Sequence, residues 1–287
     1  MRRATISAVL SSCLALASSM VSAQPAVPEL SLTRVECGTS PGPSDVARFS
    51  DTFTHIGLQV PTVYSCYLVK HGDDYLLWDT GQSMSAGAVA PKVSIVDQLA
   101  QMNVKPEQVK FVGISHYHPD HTGQVASFPG ATLLIGKGDW DVLTSPKPPP
   151  NAPTATFANW MSGTGKMEAL PLDKDVFGDG SVIMLATPGH TPGHTSYVVT
   201  AGGQTLIVLG DLIHVAAVQF AHPELQEVFD ADRAGAATQR ERILKLAADS
   251  NYWVAGAHLS FPGIGHVRKE ASGGYRFVPV NYPAPKS

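Results

Sequence analysis

His116-Tyr117-His118-Pro119-Asp120-His121 sets four side chains able to ligate a metal within six consecutive positions. Imidazole and carboxylate are the usual ligands of zinc and similar first-row ions. The stretch follows directly on Lys110 to Ser115, a short apolar run that reads as a buried strand. On an extended backbone alternate side chains point the same way. His116 and His118 can therefore share one ion, while Asp120 and His121, beyond the turn at Pro119, can face a second. A solvated surface loop also gathers polar residues, but it is a poor account of so dense a ligand set directly after a buried strand.

Working outward, other apolar runs end the same way. Val182 to Ala186 leads into Thr187-Pro188-Gly189-His190, Thr205 to Leu209 into Gly210-Asp211, and Tyr252 to Ala257 into His258. Four strands thus finish on His116, His190, Asp211 and His258, and loops at strand ends carried on a rigid sheet are where sites are built. Tyr64 to Val69 and Tyr75 to Trp78 read as a hairpin about His71-Gly72-Asp73-Asp74, the second strand stopping at Asp79-Thr80-Gly81. Thr132 to Ile135 reads as a strand, Gly138 to Leu143 as a helical turn, and Tyr197 to Thr200 as the hairpin partner of Thr205 to Leu209. Helical spacing runs from Ala86 to Met102, and a helix with an Asp start from Asp232 to Ala248. Between Ser145 and Gly165 five prolines preclude regular structure over most of the stretch, which reads as a lid or a disordered segment. No repeat or internal linker interrupts the pattern, so residues 24–287 read as one domain.

Composition bounds the function. The chain has 287 residues, 44% of them apolar and only 15% charged, as suits a compact, loop-rich globular protein. A net charge of −4 offers no footprint for nucleic acid, and the scattered basic residues form no membrane-binding patch. Arg2 and Arg3, the small apolar run Ile6 to Val21 and the site Val21-Ser22-Ala23 make residues 1–23 a signal peptide, too short for a retained anchor. Loss of those two arginines takes −4 to −6. The arginine pair leaves twin-arginine export open beside the general route. Leu10-Ser11-Ser12-Cys13 weakly resembles a lipoprotein box, yet the apolar run continues past it, which favours cleavage after Ala23 and a periplasmic or secreted product. Cys37 and Cys66 then remain, either paired in an oxidising compartment or with Cys66 as a small buried hydrophobe.

The pattern H-x-H-x-D-H followed by a downstream His, Asp and His resembles the signature of the metallo-β-lactamase superfamily, and Asp79-Thr80-Gly81 falls in the family's order. The resemblance implies an α/β fold, an αββα sandwich. It also implies two divalent metal ions, zinc by preference, one held by His116, His118 and His190 and the other by Asp120, His121 and His258. Asp211 would bridge them, and Asp79 would orient ligands from behind. The family's ligand follows the first Pro-Gly of Thr187-Pro-Gly-His190-Thr-Pro-Gly-His194, which selects His190 and leaves His194 to hold the loop.

The runs Gly210 to Phe220, Gly256 to His266 and Gly274 to Tyr282 are similar to the methyl parathion hydrolase and N-acyl-homoserine lactonase group. That likeness implies a secreted hydrolase in which a metal-bridging hydroxide attacks a small ester, lactone or phosphotriester. Asp120 and Asp211 would relay protons, and His214, standing where many lactonases carry Tyr, would hydrogen-bond the substrate oxygen. The alternatives are a true metallo-β-lactamase and a non-catalytic periplasmic metal-binding protein. Phe220 and Phe261, near site residues, and Trp160 and Phe157, near the proline-rich stretch, are the expected apolar walls of the pocket, with core packing as their other reading. The partner is a small molecule, with no nucleic acid and no stable membrane anchor; a homodimer is allowed for.

Overall fold

The computed structural model describes residues 29–281. The signal-peptide reading, Cys13 included, lies outside them. Two sheets face each other. The first runs in the order Leu30–Gly38, Tyr64–His71, Asp74–Trp78, Val109–Ile114, Thr132–Gly136 and Met167–Leu170. The second runs Tyr275–Pro279, Ile264–Lys269, Trp253–Ala255, Gln204–Val208, Thr195–Ala201, Val182–Ala186 and Lys174–Asp175.

The strands of the first sheet are covered on both faces, which is why they read as continuous apolar runs instead of alternating ones. Tyr67, Val69, Leu76 and Trp78 point inward and meet Met184, Tyr197, Val199 and Val208 of the second sheet. The alternate positions Cys66, Leu68 and Leu77 point outward to the helices Ile95–Gln101 and Lys137–Leu143 and the segment around Trp160. The outer face of the second sheet is covered by the helix Arg233–Asp249, through Ile243, Leu244 and Ala247. Each fully buried aliphatic side chain in these layers contributes roughly 1.5–3 kcal/mol. The result is the αββα sandwich.

Asp232 caps that long helix by accepting a hydrogen bond from the Gly235 amide at 2.9 Å. Its buried stripe also contains Arg240, a fully buried cation. The Arg240 guanidinium donates to the carbonyls of Leu212, Pro223 and Leu225 and pairs with Asp230 at 3.3 Å. One side chain thereby ties the helix to the long connection after the strand Gln204–Val208.

Several local expectations change. The helix expected over Ala86 to Met102 is confined to Ile95–Gln101, with only a short turn at Gly87–Val89. Pro91 forces extended backbone before it, and Ser94 restarts the helix by capping the Asp97 amide. The proline-rich stretch is more ordered than its composition suggests: Thr154–Phe157 and Ala158–Met161 form helical turns whose Phe157 and Trp160 enter the core. Cys37 and Cys66 form a disulfide across neighbouring strands, with their Cα atoms 5.8 Å apart. Among the described residues no helix is long and apolar enough to cross a membrane.

Candidate metal centre

The strand ends converge at one edge of the sandwich. His116 Nε2 lies 2.9 Å from His118 Nδ1, and His190 Nε2 lies 3.1 Å from that same atom. On the other side Asp120 Oδ2 is 3.6 Å from both His121 Nε2 and His258 Nε2. Asp211 stands between. Its Oδ2 faces His116 and His190 at 3.6 and 3.5 Å, and its Oδ1 faces His121 and His258 at 3.2 and 3.3 Å. All seven residues read as ligands from the sequence are thus brought together, in two groups that share one carboxylate.

The donor chemistry fits cations. Four of the imidazoles have Nδ1 engaged away from the centre: His121 on Asp79, His190 on Asp230 and His258 on the Val63 carbonyl, with His116 against Ser115 Oγ. An Nδ1–H committed to an acceptor leaves Nε2 with a bare lone pair. These lone pairs converge on the same small volume, an arrangement that repels itself unless a cation or proton sits there. His121 Nε2 and Asp211 Oδ1 are buried and, though 3.2 Å apart, make no well-directed hydrogen bond, which leaves both available to a cation. Burial holds His190 down to about 3, so it presents a neutral imidazole. Burial also works against charge on His121, but Asp211, Asp120 and Asp79 outweigh it and raise that imidazole well above its ordinary value. This is a site electrostatically prepared for positive charge.

His194 behaves as a holding residue. Its Nδ1 contacts Thr187 Oγ1 at 2.9 Å and its Nε2 accepts from the Asp211 amide at 3.0 Å, so both ring nitrogens are engaged and the shared carboxylate is aimed. Asp79 accepts from the Ser115 amide and hydroxyl as well as pairing with His121. Its own backbone has φ of 58°, a left-handed conformation that Asp tolerates better than most side chains.

Asp139 performs the corresponding task for two loops at once. Fully buried, it accepts from the Tyr117 amide at 2.9 Å, the Thr191 hydroxyl at 2.9 Å and the Gly193 amide at 2.6 Å. The His116–His121 loop and the loop carrying His190 are thereby pinned to one carboxylate. They approach across glycines. A Cβ on Gly136 would collide with the Gly193 carbonyl, one on Gly138 with the Pro192 carbonyl, and one on Gly193 with the Asp139 amide.

His214 lies at the pocket wall. Its Nε2 is 3.1 Å from Asp211 Oδ2, its Nδ1 is 2.9 Å from Glu227 Oε1, and its ring stacks on His258 with centroids 5.3 Å apart. Glu227 is almost wholly buried. Burial opposes charge on His214, but Glu227 and Asp211 prevail and raise it well above the ordinary imidazole value.

Above the centre opens a pocket of about 320 Å³. Its walls differ from those expected. Phe220 is buried in the core against Phe277, and Phe157 and Trp160 are buried on the far side of the first sheet. Phe261, 69% exposed, lines an adjoining cleft with Ala217 and Phe277 instead of the pocket itself. The lining is supplied by Phe49, Val60, Tyr64, Val215 and Phe229, with Arg48 among them. Phe49 and Val60 come from the stretch before Tyr64, where no periodicity marks a wall, and Tyr64 from the first position of a strand. Phe229 had one available signal, the apolar pair Val228-Phe229 set between Glu227 and Asp230.

Comparisons with known proteins agree with this geometry. The profile of the Metallo-beta-lactamase superfamily matches residues 60–258. N-acyl homoserine lactonase AttM of Agrobacterium fabrum is 32% identical over 120 residues, covering 36% of this chain and 41% of that protein. Metallo-hydrolase mfmC of Annulohypoxylon moriforme is 29% identical over 194 residues, covering 56% of this chain and 49% of the relative. The chain therefore spans about two fifths to one half of the length of these curated relatives. Among solved structures, the hydrolase AbOPH superposes with a TM-score of 0.69 at 25% identity, covering 88% of this chain and 95% of that one. AidC, a dizinc quorum-quenching lactonase, superposes with a TM-score of 0.72 at 23% identity, covering 90% and 96%, and so speaks to the fold. Because the profile spans more than half of the chain, from the segment before Tyr64 to His258 at the centre, and both solved structures share its architecture, the chain belongs to the metallo-β-lactamase superfamily.

Proposed function

We propose that the protein is an exported hydrolase that uses two divalent ions, zinc by preference, to cleave a small ester, lactone or phosphotriester. One observation carries the reading: the two oxygens of Asp211 face two separate ligand groups on the floor of a pocket whose walls are partly apolar. One group would comprise His116, His118 and His190, and the other Asp120, His121 and His258. Bound ions supply Lewis acidity and an activated water.

The chain's own residues do the rest. Asp211 holds the two groups in register, itself aimed by the His194 imidazole. Asp120, the most accessible of the carboxylates there, can carry a proton between the floor and the leaving group. His214, held at Nδ1 by Glu227, presents Nε2 at the pocket wall, where it can donate to a substrate oxygen as negative charge develops. Val60, Val215 and Phe229 exclude water from an acyl or aryl group. The named relatives, lactonases and hydrolases, support this class, and the segment 1–23 supports export.

The test is a hydrolysis panel on metal-loaded protein with lactones, aryl esters, phosphotriesters and β-lactams. Turnover of one or more of the first three is the expected outcome. Efficient β-lactam cleavage without ester or lactone turnover would overturn the substrate reading, and no turnover at full metal occupancy would overturn the enzyme reading.

A further inference from the structure

The pocket is electrically lopsided. Its floor carries the carboxylates Asp120 and Asp211, while at its mouth the only lining cation from an Arg or Lys side chain is Arg48. Arg48 is exposed, and among the described residues no carboxylate lies within ion-pair distance of it. It is nonetheless oriented. Its guanidinium carbon lies 5.1 Å from the centroid of Phe229 and 5.7 Å from that of Phe49. A planar guanidinium resting on ring faces keeps its edge N–H groups free and loses less freedom when they bind.

The rings beneath it form a ladder into the site. Phe49 stacks on His214 with centroids 5.4 Å apart, and His214 stacks on His258. A group held at Arg48 is therefore two ring spacings from the residue proposed to touch the reacting oxygen. On the other side Val60, His214, Val215 and His258 are shared with the adjoining cleft, whose further lining includes Ala216, Ala217 and Phe277 and no Asp, Glu, Lys or Arg. The two arms thus differ in kind, one cationic and aromatic, the other apolar.

We propose that Arg48, on its platform of Phe49 and Phe229, is an anion subsite, and that the substrate carries a carboxylate or comparable anion remote from the bond being cleaved. This rests on the hydrolase reading only for the word substrate; the subsite itself is a binding property. A flat fork of donors over an aromatic surface suits a carboxylate attached to a planar or apolar body, since the body covers the ring faces while the fork pairs with the oxygens.

Calorimetric titration of the metal-loaded protein with two non-hydrolysable ethers, 4-hexyloxybenzoate and 4-hexyloxybenzamide, separates charge from shape. The benzoate should bind about three- to fivefold more tightly than the benzamide, the range a solvent-accessible ion pair supports. That ratio should fall to near one in Arg48→Met, shrink with added salt, and be largely kept in Arg48→Lys. Equal affinities in the wild type, or a benzoate preference that survives Arg48→Met because the carboxylate sits on the metals, would overturn the proposal. A matched pair of aryl hexanoates, with carboxylate or carboxamide on the leaving group, then reads the same ratio in kcat/KM. Absence of turnover here and across the lactone, ester and phosphotriester panel, with the binding ratio intact, removes the hydrolase reading and leaves the subsite standing.

Discussion

The two sides of the centre are braced by different physics. Toward the first sheet the ligands arrive in one six-residue loop, and the braces are buried carboxylates satisfied mainly by backbone and hydroxyl donors. Asp79 takes the Ser115 amide and hydroxyl, and Asp139 the amides of Tyr117 and Gly193 with the Thr191 hydroxyl. Toward the second sheet the ligands come from three distant strand ends, and the braces are buried acids backed by other side chains. Asp230 holds His190 Nδ1 at 2.9 Å and is paired with the buried Arg240, and Glu227 holds His214. A contiguous loop needs only its backbone pinned. Ligands scattered over a long connection need side chains that reach across it, and the cost of burying those side chains makes this side the more fragile one.

Removing the residue common to both sides should have the largest effect. Asp211→Ala should abolish turnover and leave at most one metal equivalent by elemental analysis; retention of two equivalents would show that the sides do not depend on a shared carboxylate. Next, Arg240→Met strands Asp230 in the interior, and breaking a buried pair costs about 3–5 kcal/mol. The melting temperature should drop by roughly 10 °C, with His190 losing its hold. If Asp79→Asn lowers it as far, the fragility does not belong to the second side.

Glu227→Gln keeps the shape but removes the charge behind His214. Turnover should fall roughly tenfold, less than the ~10²–10⁴-fold that a positioned acid–base group itself supplies because His214 stays in place, with metal content preserved. A loss of metal instead would make Glu227 a structural prop for the ligands.

An effect of another kind, a pH slope, is expected at Asp139. Burial pushes its carboxyl up from 3.8 to about 7. Below pH 3.8 both folded and unfolded chains are protonated there, whereas between 3.8 and about 7 only the folded chain keeps the proton. Stability from this group is therefore present at low pH and lost as pH rises through the window, on the order of 4 kcal/mol. Denaturant midpoints of wild type should decline relative to Asp139→Asn from about pH 4 to 7. A constant difference would mean the three donors hold the carboxylate ionised throughout.

The same asymmetry governs how much could be read from the sequence. His116 to His121 is legible because a contiguous loop keeps its ligands adjacent, and His190, Asp211 and His258 because each closes a buried strand. His194 is legible as the second His of a doubled Thr-Pro-Gly-His. Glu227, Asp230 and Arg240 are not, since acids beside a helix start and an Arg within a helix look like any solvated surface until the long connection folds over them. The pocket wall fails for a related reason. Phe220 and Phe261 neighbour site residues along the chain, but proximity in sequence does not say which way a ring points, and Phe49 reaches the pocket from 171 residues before Phe220. Ala86 to Met102 matched helical spacing throughout, and Pro91 with the Ser94 cap overruled it.

The glycine seam at Gly136, Gly138 and Gly193 bears on how such a chain can be recombined. The two backbones meet there with no room for a side chain, so each is shaped to the other and neither can be exchanged alone. A crossover between residues 140 and 190 would pair one parent's seam strand with another parent's seam loop, and any mismatch in backbone path would be transmitted through Asp139 to both ligand loops. The segment 41–62 makes no such contact with the seam and carries Arg48 and Phe49. Family shuffling should therefore recover active chimeras with exchanged pocket mouths far more often than chimeras with exchanged halves.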